Sequence, residues 1–164
     1  MRNFVRSIVL FRPLADQGNA WAQTNLGVMY QHGRGVPLDY AQAVKWFRLA
    51  ADQGDARAQA NLGVMYANGH GVPQDYVQAV KWYRLAADRG DAVAQFNLGG
   101  MCASGHGVPQ DYVLAYMWRN LAAAGASDAD TRERAAKARD ELASMMTPAQ
   151  VVEAQKRARE WQPK

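Results

Sequence analysis

Residues 51–86 read ADQGDARAQANLGVMYANGHGVPQDYVQAVKWYRLA, and this stretch decides the fold. Residues 15–50, ADQGNAWAQTNLGVMYQHGRGVPLDYAQAVKWFRLA, differ from it at nine of 36 positions. Residues 87–122, ADRGDAVAQFNLGGMCASGHGVPQDYVLAYMWRNLA, differ from it at eleven. Internal repetition at such a period marks a supersecondary unit that cannot bury its apolar face alone and must stack on its neighbours.

Each unit parses into two helices. Asn19, Asp55 and Asp91 stand where a side-chain oxygen can accept from the free N–H groups of a first turn. The helix then runs through NLGVMY or its variant and stops at Gly33, Gly69 or Gly105, where glycine can take the left-handed conformation. After a GVP loop, Asp39, Asp75 and Asp111 cap the second helix. Ala22, Leu26, Met29 and Tyr30 fall on one helical stripe, as do Ala43, Trp46, Phe47 and Ala50. Gly27, Gly63 and Gly99 would let helices approach closely.

Outside the three units the pattern degrades in opposite ways. Shifted by one period, Asn3 matches Asp39, Phe4 matches Tyr40, Ile8 matches Val44, Leu10 matches Trp46 and Phe11 matches Phe47. Residues 1–14 thus read as the second helix of a degenerate half-repeat, with Pro13 disturbing its last turn by removing a backbone donor. Residues 123–164 lose the NLGxMY core. A charged helix is expected from about Ser127 to Met146, then one opened by a Thr147–Gln150 capping box with Pro148 at its first position and ending near Trp161. This polar pair would cap the array, as stacked repeats require.

Composition narrows the function. The 164-residue chain is 49% hydrophobic with a net charge of +4. Residues 1–14 hold three arginines and no acid, residues 15–124 hold eight basic and eight acidic side chains, and residues 125–164 hold eight and seven. The repeats are therefore neutral and lack the basic working face of a nucleic-acid binder. With Cys102 alone, no intrachain disulfide can form. No stretch approaches the roughly 20 apolar residues of a membrane span. Phe4–Phe11 is short and interrupted by Arg6, which argues against a signal peptide and for the cytoplasm; a frame beginning further upstream would leave the periplasm or secretion open.

At Ala22-x-x-x-Leu26-Gly27-x-x-Tyr30, Gly33-x-Gly35-Val36, Asp39, Ala43, Trp46, Ala50-Ala51 and Gly54, the sequence resembles the Sel1-like repeat family, relatives of tetratricopeptide repeats. The resemblance spans roughly residues 15–125. It implies an all-α fold, an α/α superhelical solenoid of helix-turn-helix repeats, acting as a non-enzymatic adaptor. It also implies that the first helix of each pair lines a concave groove. Carried over by position, the groove would present Trp21, Thr24, Asn25 and Val28, then Arg57, Ala60, Asn61 and Val64, then Val93, Phe96, Asn97 and Gly100. Cys102 departs from the pattern, replacing the tyrosine found at Tyr30 and Tyr66.

Two features of that face invite a protein or peptide partner. Asn25, Asn61 and Asn97 form a ladder of donor–acceptor amides suited to a peptide backbone; alternatively, each could bond a neighbouring helix and fix the stacking. Positions 21/57/93 and 24/60/96 vary while the frame stays fixed, placing two aromatics and an arginine where interfaces favour them. A second reading is a small structural element whose exposed end pairs with another copy. A third would use His70, His106 or Cys102 for metal or catalysis. No acidic or thiol ligand accompanies the histidines, and Cys102 fills a buried slot that favours an inert thiol, so no metal, cofactor or catalytic residue is assigned. GHGVP lacks the Lys-Ser/Thr of a phosphate loop, and Trp46 and Trp82 read as core beside solvated Lys45, Arg48, Lys81 and Arg84.

Overall fold

The computed structural model describes the backbone of residues 2–164, and side chains from residue 8 onward. Among the described residues the structure is all-α. Its helices are α1 (Arg2–Asp16), α2 (Ala20–His32), α3 (Tyr40–Asp52), α4 (Ala56–Asn68), α5 (Tyr76–Asp88), α6 (Ala92–Ser104), α7 (Tyr112–Gly125), α8 (Ala129–Ser144) and α9 (Pro148–Glu160). The Asn3 and Phe4 side chains, matched by period to Asp39 and Tyr40, lie outside the described ones. The chain forms two compact units, residues 1–79 and 80–164.

The helix limits follow the capping chemistry. Asn19, Asp55 and Asp91 each accept from the N–H three residues on, at Ala22 (2.9 Å), Ala58 (2.7 Å) and Ala94 (2.8 Å). Asp39, Asp75 and Asp111 do the same at Gln42, Gln78 and Leu114. Gly33, Gly69 and Gly105 close the first helices at φ of 63°, 67° and 75°, the left-handed region where a Cβ is strained. Pro13 sits inside α1 without ending it, and Gln17 N–H still bonds the Pro13 carbonyl at 3.2 Å. The last helix opens on the expected capping box, with Thr147 and Gln150 satisfying each other's backbone N–H.

In the first unit, α1 packs on α2, α2 on α3 and α3 on α4. Ala15, Ala22, Leu26, Met29 and Trp46 form one core cluster, with Ile8, Phe11, Tyr30 and Val36 against it. The fully buried Phe47 ring lies over Gly27, where a Cβ would stand 2.5 Å from it. Here glycine sets the helix spacing. The loop obeys a second constraint of this kind: a Cβ on Gly71 would meet the Tyr40 carbonyl oxygen at 2.4 Å.

In the second unit, α6 packs on α7, and α7 on both α8 and α9. Ala115, Tyr116, Met117, Trp118 and Ala122 give α7 its buried face. Trp118 and Trp161 meet edge to face, with centroids 6.2 Å apart, so the end of α9 is pinned to α7.

Candidate functional site

The polar group that ties the repeats together is glutamine. Gln23, Gln59 and Gln95 are buried, and each donates through Nε2 to a carbonyl eight residues earlier, at Ala15 (3.0 Å), Ala51 (3.1 Å) and Ala87 (3.2 Å). Those carbonyls sit at the end of the preceding second helix, where the backbone has acceptors to spare. Gln53 adds a 2.8 Å bond to the Gln23 oxygen. Every repeat therefore hooks its first helix to the helix before it through the same buried amide.

The asparagines behave differently. Asn25, Asn61 and Asn97 are each half-buried on the first helices. Asn25 donates to the Trp21 carbonyl of its own helix at 2.8 Å. Among the described residues, Asn61 and Asn97 make no side-chain hydrogen bond. The amide ladder thus leaves most of its donor and acceptor capacity unspent.

The variable positions divide into two kinds. Trp21, Arg57 and Val93 are exposed, with Trp21 at 58% and its ring edge-on to Phe11 at 5.1 Å. Thr24, expected on the groove, is instead only 2% exposed. Its hydroxyl donates to Asp55 Oδ1 at 3.1 Å, the same oxygen that caps α4. Thr24 therefore joins two helices and cannot touch a partner, and Ala60 is buried at the same position. Phe96 is too large for that slot and remains half exposed. Val28 and Val64 are half-buried beside the asparagines.

In the third repeat the face forms a cleft. Val93, Phe96 and Asn97 of α6, with Thr131 and Arg134 of α8, line a space of ≈ 250 Å³. Arg119 is not part of the lining but packs on Phe96, its guanidinium carbon 4.6 Å from the ring centroid, and Arg134 stands 5.2 Å from the same ring. Burial pushes the Arg119 guanidinium below its ordinary value, and Glu141 works the other way.

The residues weighed for catalysis sit elsewhere. Cys102 is buried, and desolvation raises its thiol pKa, which makes it a poor nucleophile. His70 stacks flat on Tyr40, with centroids 4.4 Å apart and an interplanar angle of 6°. That contact accounts for a loop imidazole without a ligand. Among the described residues, no three His, Cys, Asp or Glu gather as a metal would need, and no helix is long and apolar enough to cross a membrane.

Paired helices, hooked one to the next by a repeated buried amide and leaving their first-helix faces open, define a helical-repeat scaffold. Residues 22–55, 56–91 and 92–127 match the model of the Sel1 repeat, and the chain belongs to the Sel1-repeat family. A Sel1 repeat protein from Oxalobacter formigenes is similar at 34% identity and a TM-score of 0.74 over 82% of this chain and 51% of that one. A protective antigen of uropathogenic Escherichia coli strains, displaying an SLR fold, is similar at 28% identity and a TM-score of 0.70 over 92% of this chain and 39% of that one. The chain thus spans about half or less of the length of these relatives. No curated protein matches it. Sel1 repeats generally mediate protein–protein interaction and form a non-enzymatic scaffold.

Proposed function

We propose that this chain holds a segment of a partner protein on the faces of its first helices. In the first unit, Asn25 and Asn61 contact backbone while Trp21 and Arg57 select side chains, flanked by Val28 and Val64. In the second, Val93, Phe96 and Asn97 do the same. One observation supports the reading: Gln23, Gln59 and Gln95 bond the preceding helices, while no asparagine of the ladder bonds a neighbouring helix, Asn25 bonding only its own. An exposed tryptophan and an exposed arginine beside them fit the composition of interface anchors.

Affinity capture from the native cell extract tests this, comparing the wild-type chain with Trp21→Ala/Asn61→Ala. A partner retained by the wild type and lost by the variant, with thermal unfolding nearly unchanged, is the expected result. Capture that survives the double change removes the proposed face.

A self-association reading rests on α1, where Val9, Leu10 and Leu14 are exposed apolar side chains. Sedimentation at high concentration separates the two: a monomer there leaves only the partner reading.

A further inference from the structure

The third repeat departs from the other two at three positions that meet in space. Phe96 stands where the earlier units carry Thr24 and Ala60, Gly100 where they carry Val28 and Val64, and Arg119 where they carry Phe47 and Tyr83. The changes fit one another. A Cβ on Gly99 would lie 2.8 Å from Arg119 Cγ, and one on Gly100 would lie 3.3 Å from Arg119 Nη2. The two glycines therefore open the room that the arginine fills. Its guanidinium then reaches the Phe96 ring, and Arg134 reaches the same ring from α8.

This is a costly use of a core position unless the donors meet an acceptor. Arg119 Nε is buried and has no hydrogen-bond partner, and such a donor is expensive to leave unpaired. Glu141 acts on Arg119 only as a nearby charge. Arg134 lies 3.6 Å from Asp130 in a pair whose side chains are 63% and 81% exposed, too long for a hydrogen bond and open to solvent screening. Guanidinium groups stacked on an aromatic face keep their planar N–H edges free, and those edges match a carboxylate. Asn97 lines the same cleft with an uncommitted amide.

We infer that the cleft between α6 and α8 receives the side-chain carboxylate of an aspartate or glutamate from the bound polypeptide, against Phe96 and the edge of Arg134, with Arg119 packed on the Phe96 ring. The cleft of ≈ 250 Å³ has room for an acidic side chain. An acidic residue is thereby selected by the third repeat. This rests on the partner-binding reading of the same face.

The test is an NMR titration of the full chain with acetylated, amidated tripeptides carrying a central glutamate or a central glutamine. Two further arms use a free-carboxylate peptide without an acidic side chain, and inorganic phosphate. The glutamate peptide should shift the amides of residues 93–100 and 131–134 and the Arg119 Nε–H. Its affinity should fall roughly ten-fold in Arg134→Gln, the loss expected of one charge-assisted hydrogen bond. Because Arg134 is exposed, that variant keeps the fold; Phe96→Leu, which keeps an apolar side chain, should weaken the same peptide. Equal binding of the glutamine peptide overturns the inference. So does binding of only the chain terminus or only phosphate, or an affinity that Arg134→Gln leaves unchanged. If the peptide fails while Trp21→Ala/Asn61→Ala still abolishes native capture, the cleft falls and the scaffold reading stands. If the peptide binds while that capture is untouched, the reverse holds.

Discussion

In the first repeat the slot beneath Gly27 is filled by the ring of Phe47, fully buried and with no polar atom to satisfy. In the third repeat the equivalent slot beneath Gly99 is filled by Arg119, whose buried Nε has no partner. The neighbouring positions change in step. Thr24, locked to Asp55, gives way to Phe96, which is left half exposed. Arg48 donates to the hydroxyl of Tyr66 and sits over its ring, whereas Arg84, at the corresponding place, acts on the buried thiol of Cys102 as a charge. The first repeat is built for stacking. The third keeps the same helix frame and turns part of its core towards a cleft.

That contrast can be broken at the shared slot. Phe47→Ala should cost about 3–5 kcal/mol, the usual range for emptying a buried aromatic position. Arg119→Met should be neutral or stabilising by up to about 1 kcal/mol, because an apolar side chain of similar length removes the half-buried guanidinium and its unpaired Nε. Denaturant midpoints of the two variants compare them directly. A large loss of stability in Arg119→Met would make the arginine a structural strut.

The second comparison is between the two amide ladders. Gln59→Ala should destabilise by about 1–2 kcal/mol, since the Ala51 carbonyl keeps its bond from Gly54 and loses only the side-chain donor. Asn61→Ala should stay within about 0.5 kcal/mol of wild type. Hydrogen exchange at α4 reads both. Equal losses would mean that the asparagine also holds the stack.

A smaller effect is expected at alkaline pH. Burial raises the pKa of the Cys102 thiol and of the Tyr83 hydroxyl above their ordinary values of 9.0 and 10.0. The unfolded chain therefore loses these protons first. The stability they contribute is intact below the unfolded values and is lost as pH climbs towards the folded ones. Tyr83→Phe should flatten the alkaline limb of the stability curve. A limb that falls as steeply as in the wild type would contradict the assignment.

Much of this was legible in the sequence because caps and breakers act locally. Asn19, Asp39, Gly33 and the Thr147–Gln150 box fix helix limits within a few residues of chain, so the repeated helix pairs and the start of the last helix could be read directly. The site was harder because it depends on which way a helix is turned in packing. Thr24 was placed on the groove by position, yet its hydroxyl reaches forward to the cap of α4. The stacking hooks are less conspicuous in the sequence. Their signal was present, as a glutamine between small or apolar neighbours at Gln23, Gln59 and Gln95. A polar side chain kept at one register in an alanine-rich stripe points to a buried partner. The asparagines drew attention as the more visible repeat. Arg119 is inconspicuous in the sequence, because a single residue replacing an aromatic looks like drift until its contacts with Gly99 and Phe96 are seen.

The central claim is that buried glutamines hold the repeats together and leave the asparagine face to a partner. Native-extract capture by the Trp21→Ala/Asn61→Ala chain, at matched thermal stability, tests it most directly. Loss of a partner that the wild-type chain retains is the predicted result. Undiminished capture of that partner would contradict the account.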